Sequence, residues 1–214
     1  MKVCQKSVAE RLIIPTIIMS IVIVVSNIVV QYPVHWLGLE DVLTYSSIIY
    51  PIVFLTNDIV NRVYGPKDAA RVVVVSFVIG FICTLFIAPP RIAIGSLVAY
   101  LLGQLLDIAV FTPLRKKSWW VAPLTASIFG TAFDSLAFFS VAFAPCFRFI
   151  NHLVGSVDSS IHGNVDFSGV NIPIWLSLAI GSLGVKLVLS SLMVLPYGVI
   201  MRTFFNNLFK KQRV

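Results

Sequence analysis

The sequence predicts an all-α integral membrane protein: a bundle of six transmembrane helices with both termini in the cytoplasm. Three observations carry that expectation. Hydrophobic residues make up 58% of the 214 residues and charged residues only 12%, against roughly a quarter charged in an ordinary soluble domain. The apolar residues fall into six runs, each near the ~20 residues needed to cross a hydrocarbon core about 30 Å thick. Thirteen of the sixteen Lys and Arg lie on one side of those runs, as cytoplasmic loops require.

The runs cover residues 12–30, 43–60, 72–88, 92–111, 121–144 and 172–201. The first follows Lys2, Lys6 and Arg11, but it exceeds the roughly 7–15 apolar residues of a secretory signal and lacks a small-x-small cleavage site. Pro51 is expected to kink the second run, because proline removes a helix hydrogen bond and crowds the preceding turn. Pro89-Pro90-Arg91 predicts a tight hairpin between the third and fourth. The last run is longer than a span needs, so it must tilt, kink at Pro196 or protrude. Tyr32, Trp36, Trp119, Trp120 and Trp175 fall at run ends, where amphipathic rings are favoured. No linker or low-complexity stretch divides the chain, which reads as one integral membrane domain, residues 1–214.

The same composition excludes several functions. A net charge of +7 could mean nucleic acid, but the positives sit at the ends of apolar runs and on no soluble face. Cys4, Cys83 and Cys146 have neither metal-ligand spacing nor an evident pairing. The outward segment 145–171 holds His152, Asp158, His162 and Asp166 among Gly and Ser. Their spacing fits no familiar ligand pattern, and it reads as a solvated loop with no metal. His35, His152 and His162 all lie in outer loops, so none can activate Ser127, Ser135, Ser190 or Ser191 in the spans. No phosphate-binding loop is present. The chain is therefore expected to be no enzyme and to carry no cofactor.

The informative residues are charges inside apolar runs: Asp58, Asp107, Asp134 and Lys186. A charge at mid-bilayer costs on the order of 3 kcal/mol on insertion scales and commonly marks a solute or ion pathway. The fourth run spaces Gly95, Ala99, Gly103 and Asp107 four apart, and the fifth spaces Ala122, Ala126, Gly130 and Asp134 likewise. Such stripes lie on one helix face and let neighbouring backbones approach. Each acid should therefore point into the bundle. Counting from the loops, Asp134 and Lys186 reach similar depth near the midplane, which predicts an ion pair. Asp58 and Arg62 are i,i+4 partners beside Asn57 and Asn61. Asp107 has no evident cation at its depth. With Gln104 one turn away, it is the candidate for reversible protonation or for binding a ligand's N–H groups.

Together these residues resemble a known family. Tyr50-Pro51-Ile52-Val53-Phe54-Leu55-Thr56-Asn57-Asp58, with Asn61-Arg62-Val63-Tyr64-Gly65 and Ala70-Arg71, resembles the signature of the queuosine-precursor transporters. Gly103-Gln104-Leu105-Leu106-Asp107, Trp119-Trp120, Pro123, Thr125-Ala126-Ser127, Gly130, Asp134-Ser135-Leu136-Ala137-Phe138-Phe139, Lys186 and Leu195-Pro196-Tyr197 continue it in order. Asn57 stands where a threonine is expected, and segment 145–171 is longer than expected. The resemblance implies import of 7-cyano-7-deazaguanine (preQ0), or its aminomethyl relative preQ1, across a bacterial inner membrane for salvage of the tRNA nucleoside queuosine.

The residues suit such a ligand. A carboxylate of Asp107 or Asp134 can accept two parallel N–H bonds from a guanine-like edge. Gln104, Asn57 or Asn61 can complete that edge, and Lys186 or Arg62 can donate to the carbonyl. Phe54, Tyr100, Phe133 or Phe138 can cover the ring faces. The chain fits a secondary transporter, alone or as a homodimer. It also fits the membrane-embedded binding subunit of a multi-component vitamin or purine importer with a separate ATPase module.

Overall fold

The computed structural model describes residues 8–35, 44–155, 160–167 and 169–211. Eight helices make up most of it: α1 (Val8–Val29), α2 (Ser46–Ile49), α3 (Pro51–Val63), α4 (Pro66–Leu85), α5 (Pro90–Leu114), α6 (Val121–Phe143), α7 (Phe149–Val154) and α8 (Ile174–Lys211). Five of them, α1, α4, α5, α6 and α8, are long and apolar enough to cross a membrane. Their outer faces are hydrocarbon. Ile13, Ile14, Ile17 and Ile21 project from α1, Val78 and Ile82 from α4, and Val188, Leu192 and Val199 from α8. Ridges of this size are untenable in water and suited to lipid. The protein is a mainly helical, multi-pass membrane protein of the all-α class.

The second run forms two helices. Tyr50 keeps helical dihedrals and its N–H bonds the Ser46 carbonyl at 3.0 Å. Pro51 then has no N–H to offer, which frees the Ser47 carbonyl and starts α3 at its own first position. The backbone stays helical from α2 through Tyr50 into α3, and the proline interrupts only the hydrogen-bond ladder. α3 is packed within the bundle. It contacts α1, α4, α5, α6 and α8, and buries Val53, Phe54, Asn57, Asp58, Val60 and Asn61.

Several other boundaries differ from the apolar runs for local reasons. Gly65 has φ +98° and ψ 172°, a conformation L side chains avoid. There its N–H bonds the Val60 and Asn61 carbonyls at 3.2 and 3.1 Å, ending α3, and Pro66 opens α4. Pro90 opens α5 in the same way. Pro196 lies inside α8 without ending it. At ~1.5 Å rise per residue, the 38 residues of α8 outrun any hydrocarbon core, so its end protrudes.

The described parts of segment 145–171 hold more regular structure than the loop the sequence suggests. It contains a 3-10 turn (Pro145–Phe147), α7, and an antiparallel hairpin of β1 (Asn164–Phe167) and β2 (Val170–Pro173). Arg91, fully buried, fastens it. Its Nε donates to the Val141 carbonyl at 2.8 Å, Nη1 to Ser160 Oγ at 2.7 Å, and Nη2 to the Ala144 carbonyl. His152, His162 and Asp166 join no group of three metal-ligating side chains among the described residues; Asp158 lies outside them.

Candidate functional site: two buried polar clusters on either side of a glycine crossing

The small-residue stripes form the main helix contact, as their spacing predicts. α5 and α6 pack along their length, with Gly95 against Ala142 and Gly103 against Gly130. The crossing is reciprocal. A Cβ on Gly103 would lie 3.2 Å from the Asp134 Cβ, and one on Gly130 would lie 3.2 Å from the Asp107 Cβ. Each glycine thus backs directly onto the other helix's aspartate, and the two acids lie on opposite sides of the crossing.

On one side, Lys186 Nζ donates to Asp134 Oδ2 at 2.8 Å, with both side chains buried. This is the pair predicted from depth. The ammonium also sits 4.5 Å from the Tyr50 ring centroid, where the ring's negative face attracts it. One turn away on α8, Ser182 accepts a 2.7 Å bond from Ser47 of α2, which ties α2 to the Lys186 helix. A small cavity of about 20 Å³, the space of about one water, lies beside the pair, bordered by Ser26, Asn27 and Val30 of α1, Ser46 and Tyr50 at the α2–α3 junction, Ser96 and Ala99 of α5, Phe138 of α6, and both charges.

On the other side, Asn57 Nδ2 donates to Asp107 Oδ2 at 2.9 Å and lies 3.4 Å from the Gln104 carbonyl. Asp107 Oδ1, Asn57 Oδ1, Asp58 Oδ1, Asn61 Oδ1 and both amide atoms of Gln104 are buried without a hydrogen-bond partner among the described residues. Asn61 Nδ2 reaches Thr112 Oγ1 at 3.4 Å. Asp58 borders a separate void of about 10 Å³ with Ser127, Ser190 and Tyr197.

The expected Asp58–Arg62 pair is not formed. Arg62 Nε donates to Tyr197 Oη at 2.8 Å, Nη1 to the Arg115 carbonyl, and Nη2 to the Trp119 carbonyl at 3.3 Å. The i,i+4 spacing places Asp58 and Arg62 on one face, but the longer side chain reaches the negative carbonyl end of α5. Arg62 is a clamp at the basic end of the bundle.

Among the proposed ring-covering aromatics, Phe138 borders the cavity. Phe54 packs against Gly130, Tyr100 is hydrogen-bonded to Ser76 at 2.8 Å, and Phe133 is 39% exposed on the outer surface. Tyr50, Asn27, Ser46 and Ser96 were not anticipated. The tyrosine had one usable signal, its place just before a mid-span proline.

A buried ion pair among apolar helices commonly marks a solute or ion pathway. A family model described as "Putative vitamin uptake transporter" matches residues 44–89 and 83–201. This chain belongs to that family. The transporter is 30% identical over 220 residues to the "Queuosine precursor transporter" of Escherichia coli K12, covering 91% of this chain and 88% of the relative. It is 37% identical over 123 residues to the "Probable queuosine precursor transporter" of Haemophilus influenzae, covering 47% and 52%. To the protein of the same description in Bacillus subtilis it is 26% identical over 148 residues, covering 56% and 64%. No solved structure matches. The chain is thus a membrane transporter and not an enzyme.

Proposed function

We propose that this transporter imports preQ0 across a bacterial inner membrane, and that the Asp134–Lys186 cavity is where the base binds. In this reading α2 and α3 together form a sixth span. The basic end of the bundle and both termini face the cytoplasm, as the positive-charge bias requires. The relatives' names motivate the substrate. The observation that carries the site is the buried Asp134–Lys186 pair beside Tyr50.

The chemistry follows from those groups. Asp134 accepts paired N–H bonds from the guanine-like edge, and Lys186 donates to the neighbouring carbonyl. The solute thus inserts between two charges that hold each other in its absence. Tyr50 and Phe138 supply ring faces for the planar base. The pair is already neutral overall, so the uncharged nitrile of preQ0 suits it. The cationic aminomethyl group of preQ1 would bring a second positive charge beside Lys186, and preQ0 is the preferred substrate. The cavity is narrow, so helices must separate to admit a bicyclic base.

The test is genetic. In a bacterium that cannot synthesise the precursor and lacks its own importer, expressing this chain should restore queuosine in tRNA when preQ0 is supplied. Normal membrane levels of the protein with no queuosine would reject preQ0 as substrate.

A further inference from the structure

A cleft far larger than either interior void lies at the basic end of the bundle. It measures about 570 Å³ and is formed by the end of α3, the α5–α6 connection and α8. That volume falls in the range of ligand sites, roughly 300–1,000 Å³. Gly198 of α8 makes room for one wall: a Cβ there would lie 2.7 Å from Trp119 Cζ3, so the indole rests directly on the α8 backbone. The Trp119 carbonyl accepts from Arg62 Nη2 at 3.3 Å, and the fully buried Tyr197 accepts from Arg62 Nε at 2.8 Å. The indole and the guanidinium are therefore fixed in place.

Along α8 the lining changes character in order. Leu195, Val199 and Arg202 are i, i+4 and i+7, so they share one helix face. Leu195 and Val199 are each 66% exposed, on the side that faces hydrocarbon, and this aliphatic stripe leads into Arg202. Arg202 is exposed and forms no ion pair among the described residues. Arg62 also has donors to spare. A guanidinium carries five N–H groups, and Arg62 uses one each on Tyr197, Arg115 and Trp119. No Asp or Glu lines the cleft, and Arg115, Lys116 and Lys117 precede Trp119 in the chain.

These features select one kind of occupant. A soluble anion would match the two arginines but leave the Leu195–Val199 stripe bare. A neutral hydrocarbon chain would cover the stripe and leave the cations unmatched. A second copy of this chain, meeting the same face across a two-fold axis, would set arginine against arginine. An anionic phospholipid matches both ends, with the indole at the boundary where amphipathic rings are favoured.

We propose that this cleft binds one anionic phospholipid, its phosphate held by Arg62 and Arg202 and an acyl chain lying along Leu195 and Val199. The two guanidinium groups hold the phosphate through charge-assisted hydrogen bonds. The lipid thereby joins the clamp at the end of α3 to the end of α8.

The test uses purified full-length protein in micelles containing equal amounts of phosphatidylglycerol and phosphatidylcholine. Native mass spectrometry counts the lipids retained per chain. Wild type should retain one phosphatidylglycerol in preference to phosphatidylcholine. Arg202→Gln should lower that preference about fivefold, the scale of one basic residue at an anionic membrane surface. Lys117→Gln removes the same charge outside the cleft and should change little. Val199→Trp fills the apolar part and should expel the lipid with both arginines present. Equal retention of the two lipids by wild type would overturn the proposal, as would an equal loss in Lys117→Gln or full retention in Val199→Trp. Displacement of the lipid by inorganic phosphate alone would overturn it too, by making the cleft a free-anion site. So would a wild-type dimer that forms without phosphatidylglycerol and that Val199→Trp dissociates, because a second copy would then cover the cleft. None of these readouts involves the transported solute.

Discussion

Removing either member of the Asp134–Lys186 pair strands the other charge in the bundle interior, and a broken buried pair costs about 3–5 kcal/mol. Asp134→Ala and Lys186→Ala should therefore each lower thermal stability more than the double substitution, a coupling read from a double-mutant cycle in detergent. Additive effects would mean that the two do not depend on each other. This pair could be read in the sequence because charges are rare in apolar runs and depth can be counted from the loops. The cavity's neutral residues could not. Serine and threonine in spans commonly bond their own backbone, as Ser76 does to Val72 at 2.6 Å and Thr84 to Gly80 at 2.7 Å. Nothing in sequence separates those from Ser46 or Ser96. Arg62 was misassigned for a related reason: spacing fixes the face, and a long guanidinium chooses among acceptors that only the fold brings near.

At the scale of elements, the α5–α6 crossing depends on two absent side chains. A Cβ on Gly130 would lie 2.7 Å from Phe54 Cε1 and 3.2 Å from both the Asp107 Cβ and the Gly103 carbonyl. Gly130→Ala should cost about 1–3 kcal/mol through overpacking, seen as a lower melting temperature. Gly184→Ala is the matched control, since its Cβ would meet nothing within 4 Å; an equal loss there would remove the crossing as the cause. Gly65→Ala should cost about 1–3 kcal/mol by a different route, the strained backbone at φ +98°. The stripes and the hairpin prolines were visible as patterns of four and as punctuation. The helix ends were not, because Lys67, Asp68 and Arg71 are polar yet helical, and hydropathy ends where the apolar run ends.

For the whole molecule, the proposed orientation makes a concrete claim. A fluorescent protein that matures only in the cytoplasm should light up when fused after Val214. Alkaline phosphatase, active only outside, should work when inserted at Gly155, in the exposed turn after α7. The opposite pattern would invert the bundle. The second apolar run, proposed as the sixth span, shows what composition misses at this scale. Its residues are apolar enough to cross, but α3 is encircled by other helices and contributes the interior, so burial in protein replaces contact with lipid. The α2–α3 junction also places Tyr50 and Ser46 at the cavity, linking the architecture to the site.

The account as a whole turns on Asp134 gripping a deazaguanine edge. Calorimetric titration of purified wild type and Asp134→Asn with preQ0 tests that directly. Loss of charge-assisted hydrogen bonds should weaken binding by roughly 10- to 100-fold in the variant, with the protein still folded. Equal affinity in both proteins would contradict it.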